Sequence, residues 1–245
     1  MSDSFSNVYE DEVRANAYAG LEFPGTYYLG FRDLPDLTAR HVAGKTALDF
    51  GCGAGRSTRF LRDLGFNVIG VDISDAMLSQ AIERDPAGVY LRVAEADLSA
   101  LGERRFDLIL CAFTFDNVDR DIRVATFRQL GQLLTPHGRI VNLVSAPEIY
   151  VHEWLSFSTR DFPENQHARA GDVVRIVMLD VPDRRPVEDI YWTESDYRAT
   201  YDAAGLQVLD VHRPLGNSRD PYEWVSEAAV APWTIYVLAS DAASA

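Results

Sequence analysis

This chain of 245 residues contains the stretch Ala47-Leu-Asp-Phe-Gly51-Cys-Gly53-Ala-Gly55-Arg-Ser-Thr58, which decides its fold. An apolar run leads into three glycines at alternate positions, and a helix-compatible stretch follows. A strand, a glycine turn and a helix in this order are typical of the first unit of a parallel α/β sheet, where backbone amides approach a ligand. Arg56 stands where a dinucleotide fingerprint needs a third small residue, and no Walker Lys-Ser/Thr pair follows. The turn therefore favours a nucleotide-like ligand of another kind.

Short runs rich in Val, Ile and Leu alternate with amphipathic stretches on both sides of this turn, between Thr46 and Ala146. The alternation predicts the α/β class, with a doubly wound, mostly parallel sheet covered by helices on both faces. The expected strands are 46–51, 67–73, 89–94, 106–113 and 138–145, and the expected helices are 57–64, 74–84 and 121–134.

The alternation breaks after Ser145. Two strands, 173–180 and 187–191, are predicted on either side of a proline-containing loop, which indicates a hairpin inserted after the fifth strand. A helix at 193–204 and strands at 207–214 and 234–239 complete a seven-stranded, Rossmann-like sheet. We expect one domain over 1–245, in which 1–45 form an N-terminal cap segment and 147–192 form an inserted segment on the substrate side.

Composition and charge narrow the class of partner. The chain has 23 Lys and Arg against 37 Asp and Glu, a formal net charge of −14. Nucleic acid and anionic membranes need a basic surface, so neither is expected as a partner. No signal-peptide pattern or membrane-length apolar run is present, and the only cysteines, Cys52 and Cys111, lack disulfide or zinc spacing. These features predict a cytoplasmic protein without a metal site, and they leave its oligomeric state open.

Acidic residues follow the second and third predicted strands. Asp72 ends the second strand, where a carboxylate can accept hydrogen bonds from both hydroxyls of a ribose. Asp97 follows the third strand, where an acceptor can take the exocyclic amine of adenine. Taken singly, the glycines suit a tight turn, Asp72 a helix N-cap and Asp97 a turn. Together, at three successive strand ends, they predict an adenosine site.

Residues 47–144 resemble a class I S-adenosylmethionine-dependent methyltransferase. The stretches that carry the resemblance, in the order of that family's motifs, are Asp49–Gly55, Gly70-Val-Asp72-Ile-Ser, Ala96-Asp97-Leu98, Phe106–Phe113 and Leu133–Ile140. The resemblance implies S-adenosylmethionine as cofactor, with the methionine part against the glycine turn, the ribose on Asp72 and the adenine beside Ile73. The residues it implies for cofactor binding are Asp49, Gly51, Gly53, Gly55, Asp72, Ile73, Met77, Asp97, Leu98, Ala112 and Phe113.

The aromatic segment before the first strand adds further candidates. In the family that this chain resembles, such a segment often folds over the cofactor, and aromatic faces attract a sulfonium. We expect one or two of Tyr18, Tyr28 and Arg32 to contact the cofactor. The simpler interpretation, that these aromatic side chains cover the sheet as ordinary core, remains open.

The methyl acceptor is expected to be a small molecule. The fourth strand is followed by Phe113-Thr-Phe-Asp-Asn117 and not by the Asn/Asp-Pro-Pro-aromatic motif of enzymes that methylate nucleic-acid amines. Asn117 and His152 are the catalytic candidates, although a lone histidine is more often structural. The candidates for substrate binding are Phe115, Asp116, Tyr150 and Trp154. Two alternatives remain open: a nicotinamide-dependent oxidoreductase, which Arg56 disfavours, and a non-catalytic module that binds an adenosyl ligand.

Overall fold

The computed structural model describes residues 22–95 and 97–240. Within these residues, helices α1 (Thr26–Arg32) and α2 (Leu34–His41) precede the first strand. They lie in the part of the chain expected to form a cap, for which no helices were predicted. The remainder of that segment, including Tyr18, lies outside the described residues.

A seven-stranded sheet forms the centre of the protein. Its strands are β1 (Thr46–Phe50), β2 (Asn67–Asp72), β3 (Val89–Arg92), β4 (Phe106–Ala112), β5 (Leu134–Ser145), β9 (Leu206–His212) and β10 (Trp233–Ser240). Their order across the sheet is β3-β2-β1-β4-β5-β10-β9. The first five strands are parallel, and β10 runs antiparallel to both β5 and β9. This confirms the predicted doubly wound, mostly parallel sheet.

Strand β5 begins at Leu134, four residues before its predicted start at Gly138. The pairing of β4 with β5 shifts between Phe106 and Leu108, so extra residues of β5 are accommodated there. A Cβ atom on Gly138 would lie 2.5 Å from the carbonyl oxygen of Phe106. Glycine is therefore needed at this position for close backbone approach within the strand, and it does not mark the strand's beginning.

Four helices cover the two faces of the sheet: α3 (Arg56–Asp63), α4 (Asp75–Arg84), α5 (Arg120–Gln132) and α6 (Glu194–Ala203). Side chains alternate between the faces, as in β4, where Leu108 and Leu110 join one apolar cluster and Ile109 and Cys111 join the other. Burial on both faces explains the continuous apolar runs from which the parallel strands were predicted.

The inserted segment forms a second sheet of three antiparallel strands, β6 (Phe157–Ser158), β7 (Val173–Met178) and β8 (Val187–Ile190). The predicted hairpin is β7 with β8, whereas the two-residue strand β6 was not predicted. The side chains of Ile176 and Met178 belong to the apolar cluster that also contains Leu143 of β5. The inserted sheet therefore packs onto the central one. Within the described residues, no helix is long and apolar enough to cross a membrane.

Candidate active site

The glycine turn after β1 has a backbone that only glycine adopts readily. Gly51, Gly53 and Gly55 have φ angles of 74°, 51° and 79°. A Cβ atom on Gly51 would lie 2.4 Å from the side chain of Thr114, and one on Gly55 would lie 2.6 Å from the hydroxyl of Tyr90. Gly51 and Gly53 line a cavity, whereas Gly55 is the N-cap of α3.

Asp72 joins this turn to the end of β2. Its Oδ2 accepts a hydrogen bond from the amide of Gly53 at 2.8 Å, and its Oδ1 accepts one from the amide of Ser74 at 2.9 Å. Burial raises the pKa of the Asp72 carboxyl, and these backbone donors oppose the rise. Asp72 lines the cavity together with Ile73 and Met77. A carboxylate oxygen can accept more than one hydrogen bond, so both oxygens retain capacity for a ligand.

Asp49 lies beneath the turn and is fully buried. Its Oδ2 accepts hydrogen bonds from the hydroxyls of Ser57 at 2.7 Å and Thr58 at 2.6 Å, in the first turn of α3. Its Oδ1 has no hydrogen-bond partner among the described residues. Burial raises the pKa of Asp49 to about 6, against the lowering effect of the two hydroxyls. Asp49 thus connects β1 to the helix that starts at the turn, without itself lining the cavity.

The cavity has a volume of about 1440 Å³, its open mouth included. It runs along the carboxyl ends of the strands from the glycine turn to the inserted sheet. We call the part around Gly53 and Asp72 the turn half, and the part facing β7 and β8 the insertion half.

The segment after β3 contributes differently from the prediction. Ala94 and Glu95 line the cavity, whereas the side chain of Asp97 is exposed and accepts a hydrogen bond from the amide of Ser99 at 2.9 Å. Leu98 is buried in one of the two apolar clusters. Asp97 is therefore close in sequence to residues of the cavity wall but does not itself line the cavity.

The end of β4 forms the middle of the cavity wall. This part of the cavity is lined by Ala112 and Phe113, the cofactor candidates of the fourth motif, and by Phe115 and Asn117, the candidates for substrate binding and catalysis. Phe113 has a φ angle of 58°, and within the described residues it is the only non-glycine residue with a positive φ. A bulky residue in this conformation stores about 1–3 kcal/mol of strain, and such strain clusters at functional sites.

Two acidic side chains line the insertion half. Asp116 accepts hydrogen bonds from the amide of Ser145 at 3.0 Å and from its hydroxyl at 3.1 Å. Asp189 of β8 accepts one from the hydroxyl of Tyr150 at 3.1 Å. Burial raises the pKa of both carboxyls, and the charge of Asp116 raises that of Asp189 further. The amide of Ile190 donates to the carbonyl oxygen of Asp116 at 2.9 Å, which ties β8 to the end of β4.

Several predicted site residues lie away from the cavity. Tyr28 packs against Tyr222 and Trp224, and Arg32 forms ion pairs with Asp33 and Asp220. Their place on the wall is taken by Tyr27, which the sequence analysis passed over within the same aromatic segment.

The structure does not bring His152 or Trp154 to the cavity either. The His152 ring lies edge-on to the ring of Trp154, with 5.9 Å between centroids. The indole of Trp154 is buried and donates to the carbonyl oxygen of Ile149 at 2.8 Å. Tyr150 is also buried and reaches the site only through its bond to Asp189.

Some residues of the wall were not predicted. Trp233, Phe157 and Asp189 are the principal ones. An acid in the short, half-buried strand β8 was the only signal that could have pointed to Asp189. Arg56, which argued against a dinucleotide, holds its guanidinium 5.2 Å from the ring centre of Tyr27.

Comparison with known proteins gives the same result as the geometry. Residues 47–138 match the family described as "Methyltransferase domain". The chain is 28% identical over 217 residues to N-demethylindolmycin N-methyltransferase of Streptomyces griseus. This alignment covers 86% of this chain and 90% of the relative. It is 25% identical over 190 residues to ubiquinone biosynthesis O-methyltransferase of Coxiella burnetii, over 73% of this chain and 72% of the relative.

A solved structure shares the fold. The glycopeptide N-methyltransferase MtfA in complex with S-adenosylmethionine superposes with a TM-score of 0.63 at 14% identity, over 93% of this chain and 96% of that one. The relative that aligns over 86% of this chain is thus a methyltransferase. This agrees with the glycine turn, the Asp72 carboxylate and the seven-stranded sheet. Residues 47–138 thus form a methyltransferase domain, and the chain has the fold of class I S-adenosylmethionine-dependent methyltransferases.

Proposed function

We propose that this enzyme transfers the methyl group of S-adenosylmethionine to a small molecule bound in the insertion half of the cavity. The observation that carries the proposal is the continuity of one cavity from Asp72, at the end of β2, to Asp189, on the inserted sheet. Insertions at this edge of a doubly wound sheet can wall a substrate pocket. The relative from Streptomyces griseus, whose name specifies a small acceptor, supports the same class of substrate.

The turn half fits the cofactor. Asp72 has acceptor capacity on both oxygens for two ribose hydroxyls, and Gly53 leaves the turn open, with only Met77 within 4 Å of a Cβ built there. Ile73 provides an apolar wall for the adenine ring. An acid after β3 is proposed to accept a hydrogen bond from the adenine amine: either Asp97, as the third motif implies, or Glu95, which lines the cavity. The proposed cofactor residues are Asp49, Gly51, Gly53, Gly55, Asp72, Ile73, Met77, Asp97, Leu98, Ala112 and Phe113.

When bound, the cofactor supplies a methyl group made electrophilic by a sulfonium. The protein has to hold the acceptor in line with that methyl group and exclude water. Phe113 and Trp233 are well placed for both, since their ring centres lie 4.6 Å apart on the wall and their faces attract positive charge. Asn117, on the same wall, is proposed to position the acceptor.

Three further predictions, on domain extent, nucleic acid and cellular location, complete the proposal. The enzyme acts as a single domain over 1–245, does not act on nucleic acid, and is cytoplasmic. Two buried free cysteines, Cys52 and Cys111, are consistent with a reducing compartment.

The proposal is tested by binding and then by turnover. Calorimetry should show binding of S-adenosylhomocysteine and no binding of NAD. Incubation with methyl-labelled S-adenosylmethionine and a metabolite extract should then move the label into a small molecule. Binding of NAD instead would favour an oxidoreductase. Binding of S-adenosylhomocysteine without label transfer to any metabolite fraction would favour a non-catalytic adenosyl-binding module.

A further inference from the structure

The insertion half contains two carboxylates in otherwise apolar surroundings. Asp116 and Asp189 line it together with Ile149, Phe157, Ile176 and Met178. Asp116 is 8% exposed, and the hydroxyl of Tyr150, which donates to Asp189, belongs to a side chain only 3% exposed. An acidic pair in a pocket of this kind is costly unless a positive partner offsets it.

The protein itself supplies little positive charge to this pair. Among the described residues, no Lys, Arg or His lines the cavity. Arg123 of α5 lowers the pKa of Asp116 through its charge, but its guanidinium is stacked over Trp192 at 4.1 Å and over Tyr197 at 4.8 Å. Asp189 faces only carboxyl and hydroxyl groups in the interactions that set its pKa. Arg123 therefore offsets part of the charge of Asp116, whereas Asp189 has no positive partner among these interactions and lines the cavity.

We propose that the methyl acceptor is an amine, that Asp116 and Asp189 bind it in its protonated form, and that Asp189 takes up its proton before transfer. This inference rests on the proposed function, which it makes more specific. Asp116 accepts hydrogen bonds from both donors of Ser145, which favour its ionised form, so it anchors the cation. Asp189 is held by the Tyr150 hydroxyl alone among the described donors, which leaves it the better proton acceptor.

The reaction balances without a further reactant. The ammonium of the acceptor gives one proton to the Asp189 carboxylate and becomes a neutral amine. The lone pair of the amine nitrogen forms a bond to the donor methyl carbon, while the bond from that carbon to sulfur breaks and leaves its electron pair on sulfur. The methylated product leaves as an ammonium, and Asp189 returns its proton to water when the cavity opens.

Sinefungin tests this inference without knowledge of the natural acceptor, because it carries an amine where S-adenosylmethionine carries its methylsulfonium. Wild-type protein should bind sinefungin at least about fivefold more tightly than S-adenosylhomocysteine at pH 7. Asp189→Asn and Asp116→Asn should each remove most of that preference and leave S-adenosylhomocysteine affinity within about twofold. Glu188→Gln is the matched control, since Glu188 is the neighbouring acid on β8 but is exposed and pairs with Arg175.

A second measurement uses the wild-type protein alone. A cation placed beside a carboxyl of raised pKa lowers that pKa, so binding of sinefungin should release protons to the buffer. Calorimetry in two buffers of different ionisation enthalpy measures this release, which S-adenosylhomocysteine should not show. If the preference for sinefungin is the same in wild type and both variants, or if no protons are released, the amine inference is wrong. Failure of wild type to bind S-adenosylhomocysteine would instead refute the proposed function.

Discussion

Gly53 and Asp72 are joined by a hydrogen bond in which the amide of Gly53 donates to Oδ2 of Asp72 over 2.8 Å. The bond crosses from the turn after β1 to the end of β2, the neighbouring strand in the sheet. A ribose held by Asp72 and a methionine part held by the turn are thus positioned by one connected unit. Disturbing the carboxylate disturbs both.

Replacing Asp72 by Ala should abolish most cofactor binding. Two charge-assisted hydrogen bonds to the ribose would be lost, each worth about 1.5–3 kcal/mol, so S-adenosylhomocysteine affinity should fall at least about a hundredfold. Calorimetry measures this, with circular dichroism to show that the variant is folded. Asp75→Ala, which removes an exposed acid three residues further on, should bind normally. Unchanged affinity in folded Asp72→Ala would refute the ribose assignment.

Asp97→Ala should weaken S-adenosylhomocysteine binding by about tenfold, because one hydrogen bond to the adenine amine is lost and water partly replaces it. The deaminated inosyl analogue lacks this amine, so its affinity should not change. Glu95→Ala serves as the comparison, since Glu95 lines the cavity two residues earlier. A selective loss in Glu95→Ala, with Asp97→Ala normal, would transfer adenine recognition to Glu95.

Asn117→Ala and His152→Ala should behave differently once an acceptor is known. Asn117 lies on the cavity wall, so its replacement should lower the rate of methyl transfer while S-adenosylhomocysteine affinity stays within about threefold. His152 lies off the wall beside Trp154, so its replacement should leave turnover near that of wild type. Steady-state kinetics on both variants decides the matter. A large loss of rate in His152→Ala would restore the general-base hypothesis made from the sequence.

The buried Asp49 should make stability depend on pH. Its pKa of about 6 in the folded protein lies above the value of about 3.9 expected in the unfolded chain. The folded state therefore binds this proton more tightly, and its contribution to stability is full below pH 4 and is lost as pH rises through 6. The loss amounts to about 3 kcal/mol.

The stability of Asp49→Asn should not fall with pH for this reason, because the amide does not titrate. Relative to wild type, the free energy of unfolding of Asp49→Asn should be about 2 kcal/mol larger at pH 7 than at pH 4, because only wild type loses stability over this range. Urea unfolding at the two pH values measures the difference. Asp63→Asn, at an exposed acid in α3, is the control and should show no such change. A difference that does not vary with pH would contradict the burial argument.

Local patterns in the sequence were sufficient to predict the central sheet, the glycine turn and the position of Asp72 at the edge of the sheet. The glycines after β1 and the continuous apolar runs of the strands are local features of the sequence, so the predicted elements agree with the structure within four residues, even at β5. Asp72 was predictable because carboxyl ends of adjacent parallel strands must lie at one edge of the sheet.

Only tertiary packing determined which residues line the rest of the cavity, above all its insertion half. Tyr27 reaches the cavity and Tyr28 does not, because successive residues of a helix point about 100° apart and the sequence does not say which face docks. Asp116 and Asp189 come together because β8 pairs through Ile190 with the backbone after β4. Loops and inserted strands have no fixed period that relates distant residues. Their orientation follows from which apolar face packs onto the sheet, and that depends on the whole folded chain.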